Sequence, residues 1–104
     1  MLLQGGQKKM LQQAKAMQER LKEEIEAIRV EASTGGGMVT VRMDGAKYVT
    51  AIEIEPAVAD DIEMLQDMVR GAVNEASKRV DDQTRARLGS LMGGMEIPPG
   101  MLDD

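Results

Sequence analysis

The chain has no cysteine, no histidine, no tryptophan and no phenylalanine among its 104 residues. Each absence closes a class of chemistry. Without cysteine there are no disulfides and no thiolate metal sites. Without histidine there are no imidazole-ligated metals, no Ser-His triads and no imidazole acid–base catalysis. Tyr48 is the single aromatic residue, so bases cannot be held on a platform of stacked rings as single-strand binders hold them. No stretch approaches the roughly 20 apolar residues that a bilayer-crossing helix requires. Met1-Leu2-Leu3 is interrupted at once by Gln4-Gly5-Gly6, too short for a signal-peptide core. The expectation is a cytoplasmic protein with no membrane contact, no cofactor or metal, no small-molecule substrate and no catalytic activity.

What is present is organised. Residues 1–6 read as a flexible tail, and residues 7–90 as one domain. Within it, 7–30 read as a long amphipathic helix whose apolar stripe is Met10, Ala14, Met17, Leu21, Ile25 and Ile28, spaced by three and four. The run Gly35-Gly36-Gly37 breaks it. It lacks the Gly-Lys-Ser/Thr continuation of a phosphate loop and reads as a hinge. In residues 38–44, Val39, Val41 and Met43 alternate with Thr40, Arg42 and Asp44, a strand signature. Asp44-Gly45 marks a turn. Residues 48–55 read as a second strand with Ile52 and Ile54 inward, ended by Pro56. Asp60 and Asp61 stand where a helix N-terminus favours acidic caps. A second long helix is expected over 61–88, with the stripe Leu65, Val69, Ala72, Ala76 and Val80. Gly71 within it costs about 1 kcal/mol against Ala, which a close packing contact would offset. Residues 91–104, with Gly93-Gly94 and Pro98-Pro99-Gly100, read as a mobile tail.

The expected fold is therefore α+β: a long N-terminal helix, an antiparallel hairpin or small sheet, and a long C-terminal helix. A two-stranded hairpin is marginal alone and cannot cover two long apolar stripes. A second copy can. The expectation is an intertwined homodimer whose interface includes Met10, Ala14, Met17, Leu21, Ile25 and Ile28 of the first helix with Val39, Val41 and Met43 of the hairpin.

Several segments resemble the YbaB/EbfC family of nucleoid-associated proteins. They are the opening helix Lys9-Met10-Leu11-Gln12-Gln13-Ala14-Lys15-Ala16-Met17-Gln18; Gly37-Met38-Val39-Thr40-Val41 through Asp44-Gly45; and Ile52-Glu53-Ile54-Glu55-Pro56. Met64-Leu65-Gln66-Asp67-Met68-Val69 through Ala72-Val73-Asn74-Glu75-Ala76 follows, then Gly93-Gly94-Met95 with Ile97-Pro98-Pro99-Gly100. They occur in the family's order over most of the chain. Glu55 replaces the family's usual Asp, and Arg70-Gly71 interrupts a more aliphatic stretch. The resemblance implies a homodimeric α/β protein that binds double-stranded DNA with little sequence specificity in the bacterial cytoplasm and nucleoid, with effects on nucleoid organisation and gene expression.

A net charge of −5 argues against DNA until it is divided by segment. Residues 1–30 carry +2, residues 31–69 carry −6, residues 70–88 carry +2 and residues 89–104 carry −3. Lys8, Lys15, Lys22 and Arg29 recur every seven residues, which on one helix makes a row beside the apolar stripe. Lys8 and Lys9 have no acid one turn away, whereas Lys15 and Lys22 have Glu19 and Glu26. The DNA-binding candidates are Lys8, Lys9, Lys15 and Lys22, with Lys78, Arg79, Arg85 and Arg87 on the second helix. Gln12, Gln13 and Gln18 are candidates for phosphate or base-edge hydrogen bonds. Arg87 alone in the second group has no acid three or four residues away. The acidic pairs lack the spacing of a calcium loop, and Glu53 with Glu55 reads as an exposed strand face. The competing reading is an acidic dimeric adapter for other proteins that does not touch DNA.

Overall fold

The computed structural model describes residues 5–93. The order is α1 (Gly5–Glu26), β1 (Arg29–Thr34), β2 (Val39–Asp44), β3 (Val49–Ile54), a 3-10 turn (Pro56–Val58) and α2 (Ile62–Leu91). The three strands form one antiparallel sheet in the order β1-β2-β3. The fold is α+β, with α2 lying across β1 and β2. Gly5 and Gly6 belong to α1 and Leu91 to α2. Met92 and Gly93 form the turn after α2, and residues 1–4 and 94–104 of the expected tails lie outside the described residues.

The sheet has a strand that the sequence reading did not expect, and its first two residues, Arg29 and Val30, were read as helix. α1 stops at Glu26, and Arg29–Thr34 pairs with β2, Ala32 facing Val41 and Val30 facing Met43. The segment 27–34 fits both periods. Ile28 continues the spacing of Ile25, yet Val30, Ala32 and Thr34 also alternate with Arg29, Glu31 and Ser33. Tertiary pairing with β2 decides between them. Arg29 then closes the helix it was expected to extend. Its Nη1 donates to the carbonyls of Glu26 and Ile28 at 2.8 and 2.7 Å, satisfying acceptors left open at a helix end.

The glycine run consequently turns β1 into β2 and is not a helix-to-strand hinge. Gly35, Gly36 and Gly37 all have positive φ, 62°, 70° and 97°, which β-carbon sterics disfavour for other residues. The β2–β3 loop spans Gly45–Tyr48. Asp44 Oδ1 accepts from the amides of Ala46 and Tyr48, both at 3.0 Å. Gly45 is needed for approach: a β-carbon there would lie 1.9 Å from the Ile25 carbonyl oxygen. This contact sets the end of α1 against the loop.

The core is small and aliphatic. Ala72, Ala76 and Val80 of α2 are buried against Ile28, Ala32, Val39, Val41 and Met43. Two alanines at the centre of the stripe let α2 lie close to the sheet. Thr34 Oγ1 donates to the Met68 carbonyl at 2.8 Å, and a β-carbon on Gly71 would stand 3.2 Å from Thr34 Cγ2. This is the close contact expected to justify that glycine. Asp61 caps α2, its side chain accepting from the Met64 amide at 3.1 Å. Pro56 opens a single 3-10 turn that buries Val58.

This packing corrects the expected interface. Ile28, Val39, Val41 and Met43 are buried inside one chain by α2, so they have no surface left for a second copy. β3 is corrected in the opposite sense. Ile52 and Ile54 face the same side as their partners Val41 and Val39, but α2 does not reach over them, and they remain 46% and 41% exposed.

Candidate nucleic-acid interface

The molecule is elongated, 68 × 28 × 19 Å, with a radius of gyration of 19.7 Å. A compact domain of this size would have about 12–13 Å. The excess length comes from α1. Glu24 and Arg87 meet at 2.7 Å, near the C-terminal ends of both helices. Arg87 lies about 38 Å along α2, and α1 continues nearly 30 Å from Glu24 back to Gly5. These lengths together account for the 68 Å axis. α2 ends one turn beyond Arg87, so roughly 20 Å of α1 projects past it as an arm. Every residue from Gly5 to Arg20 is exposed, including Met10 and Met17.

Good helix formers (Gln, Lys, Ala, Met and Leu) fill this arm and make an unsupported helix feasible. From Gly5 to Gln18 its charge is of one sign. Lys8, Lys9 and Lys15 lie in a stretch with no acid before Glu19, and none of the three has an ion-pair partner among the described residues. Lys22, nearer the body, pairs with Glu26 at 3.9 Å as its spacing predicts. The row of cations ends there, because Arg29 is in β1.

Arg20 also belongs to the arm and was not among the sequence candidates; Glu23 and Glu24 follow it at three and four residues. In the fold Glu24 turns to Arg87, and Arg20 has no ion-pair partner among the described residues. The signal was present in the sequence only as a competition between two arginines for one carboxylate.

The α2 candidates are placed differently. Lys78 pairs with Asp82 at 3.5 Å and Arg79 with Glu75 at 3.4 Å, and Arg85 reaches Asp82 at 3.5 Å. Arg79 Nη1 also donates to the Glu31 carbonyl, which ties α2 to β1. Arg87, expected to be unpaired, has an acidic partner and is the least exposed of the four. It is half-buried against Glu24, with its Nε enclosed and without a partner. The four do not converge with Lys8, Lys9 and Lys15, which stand on the projecting arm.

The open face of the sheet is acidic. Arg42 sits between Glu53 at 2.6 Å and Glu31 at 3.1 Å. The hydrogen bond to Glu53, then the charges of Glu53 and Glu31, raise the guanidinium pKa further above its ordinary value. Glu53 is thus half of a cross-strand ion pair. Among the described residues no cluster of three or more acidic side chains is arranged to hold a metal ion, and no helix is long and apolar enough to cross a membrane.

The YbaB/EbfC DNA-binding family model matches residues 4–95. The chain belongs to the YbaB/EbfC DNA-binding family. It is 40% identical over 102 residues to a nucleoid-associated protein of Xanthomonas campestris, covering 95% of this chain and 96% of that one. It is 41% identical over 99 residues to a nucleoid-associated protein of Acidobacterium capsulatum, covering 88% and 92%. The crystal structure of an uncharacterized protein from Helicobacter pylori has the same fold, with a TM-score of 0.71 at 22% identity, over 88% of this chain and all of that one. The family match spans both the arm and the packed sheet, so the projecting helix is part of the family domain.

Proposed function

We propose that the protein is a non-catalytic homodimer that binds double-stranded DNA with little sequence specificity, and that it acts at the nucleoid, with consequences for nucleoid organisation and gene expression. The observation that carries this is the α1 arm: Lys8, Lys9 and Lys15 are exposed and without an ion-pair partner among the described residues. Membership in a DNA-binding family and the nucleoid association of its relatives support it. Phosphate contacts of this kind position a protein without reading sequence, and the arm has no aromatic residue to intercalate or stack. Preference among sequences would come from DNA shape.

What the single chain leaves uncovered supports the dimer. Val49, Ile52 and Ile54 make an apolar face on edge strand β3, a surface that soluble proteins normally cover or pair. Leu21 and Ile25 line an apolar trough on α1 with Gln18, Lys22 and Glu26. Met10, Ala14 and Met17 continue the same stripe outward. Two copies joined through β3 and the base of α1 would present two cationic arms, and DNA would avoid the acidic sheet faces.

Anisotropy titration of labelled duplex at two salt concentrations tests the reading. Six neutralised phosphates from two arms predict a log–log salt slope of about −5. Lys8→Glu with Lys9→Glu removes four of the six contacts and should flatten the slope to about −2, with the dimer intact by light scattering. A parental slope in this variant would exclude the arm as the site. No binding at low salt would favour the adapter reading.

A further inference from the structure

The two ends of this elongated molecule are opposite in charge. One end is the arm. Lys8, Leu11 and Lys15 fall within about 60° of one another round α1, while Met10 and Met17 lie more than about 130° from either lysine. The lysine face therefore stays outside any packing made through the methionine stripe. Leu11, on this face between the two lysines, is 60% exposed. Neither lysine has an ion-pair partner among the described residues. The other end is the start of α2. Residues 55–69 hold five acids, Glu55, Asp60, Asp61, Glu63 and Asp67, and no base. Here Thr34 of β1 and the first turns of α2 enclose a cleft of about 540 Å³, with an apolar lining from Met64 and Met68 and carboxylates from Asp61, Glu63 and Asp67. Met64 is 40% exposed. Glu63 has no ion-pair partner among the described residues, and Asp67 meets Arg70 at the surface at 3.0 Å.

We infer that the lysine face of one chain's arm docks in this cleft of a second copy, Leu11 against Met64 and Met68, and Lys8 and Lys15 toward Glu63 and Asp67. The occupant must come from another chain. Glu24 meets Arg87 about 38 Å along α2 from the cleft, and the arm projects onward from there, so Lys8 is roughly 60 Å from its own chain's cleft. The two surfaces match in sign and in pattern. Lys8 and Lys15 stand about 10.5 Å apart along α1 with Leu11 between them, and Glu63 and Asp67 about 6 Å apart along α2 with Met64 between them. The flexible lysine stems span the difference. Leu11 and the methionines bury apolar surface that each chain leaves exposed. The ion pairs add little energy each but select the partner and fix the register. Because the contact joins unlike surfaces, every docked pair leaves another arm and another cleft open, and assembly continues past the dimer. Lys8 and Lys15 are also offered to DNA, so DNA and the cleft compete for them. That competition rests on the DNA-binding reading; the docking does not.

Charge reversal and disulfide trapping on the full chain test this. Sedimentation velocity at low salt should show species heavier than a dimer, which dissociate as salt rises. K8E/K15E and E63K/D67K should each lose them. An equimolar mixture of the two should recover them, because each variant's arm then meets a cleft of opposite sign. Asp61 is kept because it caps α2. E63K/D67K moves the net charge from −5 to −1, which by itself favours association, so its loss of the heavy species reads the specific contact. The chain has no cysteine of its own. Chains carrying Leu11→Cys mixed with chains carrying Met64→Cys should form a disulfide at least about tenfold faster than Gln13→Cys with Met64→Cys, because docking raises the local thiol concentration. Gln13 lies about 160° round the arm from Leu11. No heavier species in the parent, no recovery on mixing, or equal disulfide rates would each overturn the inference. A short duplex should slow the disulfide between Leu11→Cys and Met64→Cys chains. Duplex that binds without slowing it would overturn the competition. Absence of DNA binding at low salt, with the fast disulfide retained, would overturn the competition through the DNA-binding reading itself and leave the docking established.

Discussion

The body and the arm of this molecule use similar residues under opposite conditions. In the body, α2 and the sheet bury Ile28, Ala32, Val39, Val41, Met43, Ala72, Ala76 and Val80 together. The candidate cations of α2 there pair with carboxylates. On the arm, methionines at the same helical spacing are exposed, and Lys8, Lys9 and Lys15 stand without partners among the described residues. A lysine's chemistry is the same in both places. What differs is whether a neighbouring element has already claimed its charge. A chain of net charge −5 can therefore offer DNA a cationic surface, because most of its acids are set on the sheet, its loops and α2, away from the arm.

The contrast can be broken first in the body. Ile28→Ala empties a fully buried position at the junction of α1 and β1, and should cost about 2–5 kcal/mol by urea unfolding. Its salt slope for DNA should stay parental while the protein is folded. The next test falls on the joint between the two regions. Arg87→Ala removes a half-buried ion pair to Glu24 and should lower stability by about 1 kcal/mol. It also releases Glu24 to Arg20, one turn away, so DNA binding should weaken modestly at low salt and converge with the parent at high salt. The smallest effect belongs to Lys78→Ala. Its charge is shared with Asp82 at the surface, and both stability and DNA affinity should change by less than about 0.5 kcal/mol. A loss on the scale of Lys8→Glu with Lys9→Glu would instead extend the DNA surface onto α2.

Much of this was legible in order along the chain. The 3.6-residue stripe of α1, the alternation of Val39, Val41 and Met43, the cap at Asp61 and the contact demanded by Gly71 are local patterns, each with a local physical cause. β1 was not legible, because Ile28 satisfies helical spacing while Val30 and Ala32 satisfy strand spacing. Arg87 was misread for a similar reason: inspection three and four residues away finds no acid, and the acid that matters is 63 residues earlier. The lack of an ion-pair partner at Lys8 and Lys9 was legible, because neither their helix nor any other supplies them with a counter-charge among the described residues.

By itself the sequence determined which chemistries are closed to this protein, where its long helices lie and which end of the chain is free of acid. Those follow from residue type and near-neighbour spacing. Only the tertiary structure decided that Arg29–Thr34 is a strand, that the hairpin valines serve one chain's own core, and that β3 keeps an uncovered apolar face. It also decided which cations remain unpaired. The physical reason is common to all four. Strand pairing, burial and ion pairing between elements depend on groups distant in sequence, and a local pattern compatible with two outcomes is settled by the neighbour that folding brings to it.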